Sequence, residues 1–208
     1  MKIFVSAGTQ YNDQQRAFVA ALDSFLVANG CYKLTVDDRR SDQPIFAARE
    51  LMQDADAVVV VAFTRYIIKN AVEKPDSPDE KTLKNTRYPT IWNQLEAAMA
   101  FGLHLPLFVI IEDGLHQEAM LKDRLEFRTV ITKLDKNLFS SETFKDRFKH
   151  WMERAKAPRK RITSNIADAT IGQLVSQLRP DQAWKIAGAI ISIVTAIAMA
   201  AFSIGKQL

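Results

Sequence analysis

The segment TIWNQLEAAMAFGLHLPLFVIIE, residues 90–112, contains the two kinds of element from which an α/β domain is built. Its first half repeats apolar residues at intervals of three and four, which predicts an amphipathic helix. The side chains expected on its buried face are Trp92, Leu95, Met99 and Leu103. Pro106 ends the helix, and the apolar run after it predicts a strand buried on both faces. Glu96 therefore lies beside a buried helix face, at one rim of a parallel sheet.

Strand and helix patterns alternate on both sides of this segment. Apolar runs predict four further strands, at residues 2–6, 32–36, 57–63 and 127–131. Amphipathic stretches predict helices at residues 13–28, 45–54 and 141–157, with a short helix at 117–124. The run AVVVVAF, residues 57–63, is the most hydrophobic strand, so we expect it at the sheet centre. Alternation of this kind predicts an α/β fold, a five-stranded parallel sheet of the flavodoxin-like type with helices on both faces.

Residues 64–89 form the only long stretch without a helix or strand pattern. The stretch contains Pro75, Pro78 and charges of both signs, which favours a mobile loop. It directly precedes the helix that carries Glu96, so we expect it to lie where it can cover that carboxylate.

Composition argues against several classes of protein. The formal net charge is +4, but residues 140–161 alone hold eight Lys or Arg against three Asp or Glu. No aromatic-interleaved basic face or nucleic-acid reader motif accompanies this excess, so we expect no nucleic-acid partner. The single cysteine, Cys31, excludes an internal disulfide and a cysteine-based metal site. His104, His116 and His150 lack metal-ligand spacing, so no metal or cofactor is expected.

The C-terminal region differs from the rest. We divide the chain into an α/β domain (1–157), a basic linker with an amphipathic helix (158–183) and a transmembrane helix (184–208). Residues 186–205 carry no charge, and twenty helical residues span about 30 Å, the thickness of a bilayer core. The basic residues before this helix predict a single pass through the inner membrane, with the α/β domain in the cytoplasm. An Ala-rich packing helix is the alternative.

Within the uncharged segment, small residues recur at every fourth position. They are Gly188, Ser192, Ala196 and Ala200. A stripe of this kind favours close association of helices within lipid, so we expect a homo-oligomer that assembles partly through this helix.

A family resemblance rests on the helix that carries Glu96. The residues Trp92-Asn-Gln-Leu-Glu96 resemble the tryptophan-x-x-x-glutamate signature of Toll/interleukin-1 receptor (TIR) domains. Residues 57–71 and 105–110 are similar to the flanking strands of that family. Glu96, Ala100, Gly102 and Pro106 also resemble the pattern of nucleoside deoxyribosyltransferases, whose first strand and glycine loop are similar to residues 4–8. That family usually carries an aspartate just before the glutamate, and residues 88–94 contain none, which favours the TIR resemblance. The similarity covers residues 1–134.

The resemblance implies a reaction. In TIR domains that hydrolyse NAD+, the glutamate is catalytic, so it implies that Glu96 breaks the bond between nicotinamide and ribose. Nicotinamide leaves as a neutral molecule, so one carboxylate suffices to stabilise the cationic sugar or attack it. Ordinary glycosidases need a second carboxyl group. The spacing alone also allows Glu96 to be a salt-bridged or solvent-facing helix residue.

The implied protein is a membrane-anchored NAD+ glycohydrolase, with NAD+ as substrate and no cofactor, that forms homo-oligomers through the TIR-like domain and acts in antiphage defence. A variant of this hypothesis cyclises ADP-ribose. The competing hypothesis is a non-catalytic nucleotide sensor that clusters its transmembrane tail to disrupt the membrane.

Further candidate residues lie in the loops. Ser6, Gly8, Thr9 and Tyr11, in and after the first strand, are candidates for contacts with ribose or phosphate, although a plain connection fits equally well. Arg39 and Arg40 are candidate partners of a pyrophosphate. Tyr66 and Tyr88, near the two ends of the stretch 64–89, are candidates to close on a base. Trp92 is either a ring that stacks on the substrate or a core anchor of the helix.

Overall fold

The computed structural model describes residues 1–36, 43–122 and 128–157. The predicted linker, amphipathic helix and transmembrane helix lie outside the described residues, as do Arg39 and Arg40. Among the helices of the described part, none is long and apolar enough to cross a membrane.

Strands and helices alternate along the chain, with one pair of strands inserted. In order they are β1 (Lys2–Ala7), α1 (Asp13–Ala28), β2 (Tyr32–Leu34), α2 (Pro44–Asp54), β3 (Ala57–Ala62), β4 (Tyr66–Glu73), β5 (Lys81–Tyr88), α3 (Ile91–Gly102), β6 (Leu107–Glu112), β7 (Arg128–Thr132) and α4 (Glu142–Lys156). Two short 3₁₀ turns, at Ala119–Leu121 and Lys136–Ser140, lie between β6 and α4.

Five of the strands form one sheet in the order β2-β1-β3-β6-β7, and every neighbouring pair is parallel. This confirms the predicted α/β fold with its five-stranded parallel sheet. β3 is the central strand, and all six of its residues are buried, as the hydrophobicity of the segment predicts. The chain moves outward from β1 to β2 and then returns to β3 on the other side. A crevice therefore opens at the carboxyl ends of β1 and β3, where open α/β sheets bind ligands.

Each face of the sheet is covered by its own layer of helices. On one face α1 and α4 pack against Ile3, Val5 and the other side chains of that face. On the opposite face α2 and α3 pack against Phe4 and its neighbours. On α4, Phe144, Phe148 and Trp151 are each 2% exposed. The alternation of side chains along each strand thus fills two separate cores.

The expectation of a mobile loop over residues 64–89 is wrong. β4 and β5 form an antiparallel hairpin whose register runs from Tyr66 opposite Tyr88 to Glu73 opposite Lys81. The β-branched residues along both strands favour this pairing. Pro75 and Pro78 lie in the turn between the strands and remove no ladder hydrogen bond.

The predicted orientation of α3 is wrong in its first two turns, whereas Met99 and Leu103 pack partly buried against the core as predicted. The buried residues of this helix are Asn93, Glu96, Ala97 and Ala100. Trp92 and Leu95, expected inside, are 36% and 38% exposed. The helix turns its small and polar side toward the sheet, because alanines let it approach closely and Asn93 finds hydrogen-bond acceptors there.

Candidate active site

A cavity of about 300 Å³ opens where the carboxyl ends of β1 and β3 meet the start of α3. Its walls come from four parts of the chain: β1 with its following loop, the end of β2, the β3–β4 connection, and the first turns of α3. The lining residues are Val5, Ala7, Gly8, Thr9, Thr35, Val36, Arg65, Tyr66, Thr90, Ile91, Trp92, Asn93 and Glu96.

Glu96 is the only carboxylate among the described residues that line this cavity. It is 8% exposed. A glutamate is rarely buried to this degree unless it is paired or has a function, because removing its charge from water is costly. The cavity therefore presents one carboxylate of low exposure to whatever occupies it.

Asn93 anchors the start of α3, the helix that carries this carboxylate, to the sheet. Its side-chain Nδ2 donates to Ser6 Oγ at 3.1 Å and lies 3.4 Å from the carbonyl oxygens of Ser6 and Val61. These contacts attach the first turn of α3 to the carboxyl ends of β1 and β3. Residues three apart share a helix face, so Asn93 also sets the rotation that brings Glu96 to the cavity.

Gly8 permits the loop after β1 to lie against the start of α3. A Cβ atom on Gly8 would come within 3.2 Å of Thr90 Cγ2 and 3.6 Å of the Phe63 ring. Thr90 is the N-cap of α3, and its hydroxyl accepts from the Trp92 N–H at 3.4 Å. A side chain at position 8 would therefore have to displace the Thr90 methyl group by a few tenths of an ångström.

The connection between β3 and β4 supplies Arg65 and Tyr66. The guanidinium carbon of Arg65 lies 5.5 Å from the centre of the Tyr11 ring and 5.8 Å from that of Tyr66. These are cation–π distances. The Tyr11 hydroxyl and the Gln15 side chain both donate to the Thr64 carbonyl.

Glu112, at the end of β6, holds the base of the hairpin. One of its oxygens accepts from the Thr64 N–H at 2.6 Å, and the other lies 3.0 Å from Arg87 Nη1. Arg87 also donates to the Asp113 carbonyl.

Tyr88, the last residue of the hairpin, has its ring 4.8 Å from that of His116. Burial raises the pKa of the Tyr88 phenol, and the nearby Glu118 and Glu73 raise it further. The hairpin therefore begins and ends at points fixed to the sheet.

The structure brings five of the predicted site residues to one cavity: Gly8, Thr9, Tyr66, Trp92 and Glu96. Ser6 is 2% exposed and serves as the acceptor for Asn93, outside the lining. Tyr11 also lies outside the lining and contacts Arg65 from beside it. Trp92 belongs to neither core cluster, so it is not the core anchor considered as an alternative.

Among the lining residues that the sequence did not predict are Asn93 and Arg65. Asn93 precedes Glu96 by three positions, and this spacing is the signal that the two share a face. Arg65 follows the most hydrophobic strand by three residues, at the edge where parallel sheets bind ligands. Because residues 64–89 were expected to be an irregular loop, no position in the site was predicted for Arg65.

Fold and cavity together define a doubly wound α/β domain with one buried carboxylate at its switch point. Within the described residues, no group of three His, Cys, Asp or Glu side chains is placed to hold a metal ion. No protein-family profile matches the chain, and no curated protein matches it.

Five chains of known structure match. One is the CMP N-glycosidase BcmB of Clostridium botulinum, with 11% sequence identity over 72% of this chain and 99% of that chain, and a TM-score of 0.43. A likeness at this level carries no argument about activity.

Proposed function

We propose that the protein is an N-glycosidase that cleaves the bond between base and ribose in a nucleotide, with Glu96 as the catalytic carboxylate. The observation that carries the proposal is the position of Glu96, 8% exposed on the wall of a cavity of about 300 Å³ at the switch point of the sheet. Asn93 and Ser6 hold it there through the helix.

The chemistry follows from a carboxylate in such a place. Departure of the base leaves positive charge on the sugar, and a fixed negative charge stabilises that state or attacks the sugar carbon. Exclusion of water strengthens the attraction. Trp92 and Tyr66, which are 36% and 57% exposed on the cavity wall, offer aromatic faces on which a base can stack.

NAD+ is the substrate that this arrangement suits best. Nicotinamide leaves NAD+ as a neutral molecule without being protonated, whereas ordinary glycosidic leaving groups require a second carboxyl group as acid. The described lining offers only Glu96. The resemblance of residues 92–96 to the TIR signature supports the same choice.

The test is nicotinamide release from NAD+ by the purified full-length protein, followed by chromatography. We expect Glu96→Gln to lower kcat by about 10²- to 10³-fold, the scale for loss of a group that stabilises transition-state charge. Glu142→Gln, which removes a carboxylate from the exposed start of α4, is the matched control and should act as wild type. Full activity of Glu96→Gln would refute the assignment. Cleavage of CMP but not of NAD+ would support Glu96 as the catalytic carboxylate and contradict NAD+ as the substrate.

We also propose that residues 184–208 attach the protein to the inner membrane, with the α/β domain in the cytoplasm and copies clustered there. The support is the uncharged segment 186–205 with its stripe of small residues. Fractionation of cells tests this, and recovery of the full chain in the soluble fraction would contradict it.

A phage-challenge assay with the same variants separates the enzyme from the sensor. Loss of protection in Glu96→Gln favours the enzyme. Protection that survives Glu96→Gln but disappears when residues 184–208 are removed favours the sensor.

A further inference from the structure

Arg65 is the one cationic side chain among the described residues that line the cavity. It comes from the connection between β3 and β4, whereas Glu96 comes from α3. Two opposite charges therefore reach the same cavity from different elements, and a ligand that meets both must carry an anionic group at a distance from its reacting bond.

The backbone at Arg65 and at the residue before it is held by hydrogen bonds. Its N–H donates to the Tyr88 carbonyl at 2.7 Å. The preceding residue, Thr64, donates its N–H to Glu112 at 2.6 Å, and its carbonyl accepts from Tyr11 and Gln15. The side chain therefore leaves the sheet from an anchored point.

The side chain itself is held by aromatic rings. The rings of Tyr11 and Tyr66 lie 5.5 and 5.8 Å from its guanidinium carbon. Cation–π contacts hold a guanidinium through its face and leave its N–H groups, which match the oxygens of a phosphate, available to a ligand.

Arg87, in the same hairpin base, shows the contrast. Its guanidinium pairs with Glu112 at 3.0 Å and bonds to a backbone carbonyl, so its charge is used within the protein. Arg65 takes part in no ion pair with the residues that the structure describes. Of these two arginines, Arg65 is therefore the one whose charge is not matched by a described carboxylate.

We propose that Arg65 binds the phosphate attached to the ribose on which Glu96 acts, so that the site selects nucleotides over nucleosides. A volume of about 300 Å³ lies at the lower end of the range for ligand pockets, which suits a single nucleotide unit. In NAD+ this phosphate is the one next to nicotinamide riboside. The assignment rests on the proposed function of Glu96, and its test separates the two.

The test compares kcat/KM for nicotinamide mononucleotide and nicotinamide riboside in the full-length protein. Arg65→Leu should lower the value for the mononucleotide by about 10- to 100-fold, the effect of losing a charged hydrogen bond, and leave the riboside unchanged. Arg65→Lys should restore part of the preference. Arg147→Leu, which removes an exposed arginine from α4, is the control and should keep the wild-type preference for the mononucleotide.

Binding of both ligands to Glu96→Gln, measured by calorimetry, completes the design. Equal cleavage of the two substrates by wild type, or an equal loss of kcat/KM for both in Arg65→Leu, would overturn the proposed role of Arg65. Neither result would contradict the catalytic role of Glu96. Binding of the mononucleotide that depends on Arg65, without any cleavage by wild type, would overturn the glycosidase and keep Arg65. Absence of both cleavage and binding would overturn both.

Discussion

The two faces of the sheet are covered by helices of different character. Beneath α1 and α4 the core is aromatic, and the Phe108 ring lies 5.3 to 5.8 Å from those of Phe144, Phe148 and Trp151. Beneath α2 and α3, Phe4 is the only aromatic among the described buried residues, and α3 contributes alanines, Asn93 and Glu96.

This difference separates stability from the position of the site. Each large ring buries much apolar area, so we expect the loss of a ring from the aromatic face to be costly in stability. Small side chains shorten the distance between a helix and the surface beneath it. The short amide of Asn93 can then reach β1 and β3, and Glu96 reaches the cavity with it. One face fixes the fold, and the other fixes the carboxylate.

The largest expected effect lies on the aromatic face. Phe148→Ala should lower the free energy of unfolding by about 3–5 kcal/mol, because a buried ring is replaced by a cavity. Urea denaturation measures the loss, and Phe148→Leu should show a smaller one. The folded fraction should cleave substrate at the wild-type rate. A fall in the kcat of folded protein would break the separation between the faces.

The next effect lies on the face of α3. Asn93→Ala should lower the free energy of unfolding by about 1–3 kcal/mol, because Ser6 loses its buried donor. Cleavage should fall at least about tenfold, because misplacement of a catalytic group by a fraction of an ångström is costly.

Gln94→Ala is the matched control for Asn93. Gln94 is the adjacent amide on α3, and it bonds to the Glu118 carbonyl and the Met120 N–H away from the cavity. Its loss should cost stability and leave cleavage unchanged. If the two variants cleave equally well, the positioning role of Asn93 is wrong.

The smallest effect concerns Cys31, which lies in the aromatic core. Burial raises the pKa of its thiol, with Met152 Sδ 3.5 Å away. Native protein should therefore react with maleimide more slowly than unfolded protein. Above the ordinary thiol pKa, native protein keeps a proton that the unfolded chain loses, so the free energy of unfolding should fall as pH rises. Maleimide labelling of native and unfolded protein checks the first expectation, and Phe148→Ala should label faster. Urea denaturation over a pH series checks the second.

The same division explains how far the sequence predicts the structure. β3 and β6 are continuous apolar runs, and a parallel sheet is the architecture that buries such strands on both faces, so the fold follows from pattern alone. The face of α3 does not. A periodicity argument points Trp92 and Leu95 inward, whereas the helix buries Asn93 and Glu96. A departure from the apolar pattern is expected where a site is built.

The β4–β5 hairpin was not predicted from the sequence, for a different reason. Pro75 and Pro78 suggest irregular chain, but they occupy only the turn, and the strands on either side are polar on much of their surface. Pairing between two segments is a property of both together, and neither segment alone carries a strong strand pattern. Because the hairpin was not predicted, the position of Arg65 at its base was not predicted either.

Glu112 has a bearing on how this protein can diverge. Its two oxygens hold both ends of the hairpin at the sheet, and β4 and β5 pack chiefly against each other beyond that point. The parts of β4 and β5 beyond the hairpin base, and the turn at residues 74–80, are therefore not needed to position Arg65, Asn93 and Glu96. Related chains can lengthen, shorten or recharge this projection while the cavity keeps its shape, so variation in length should concentrate there.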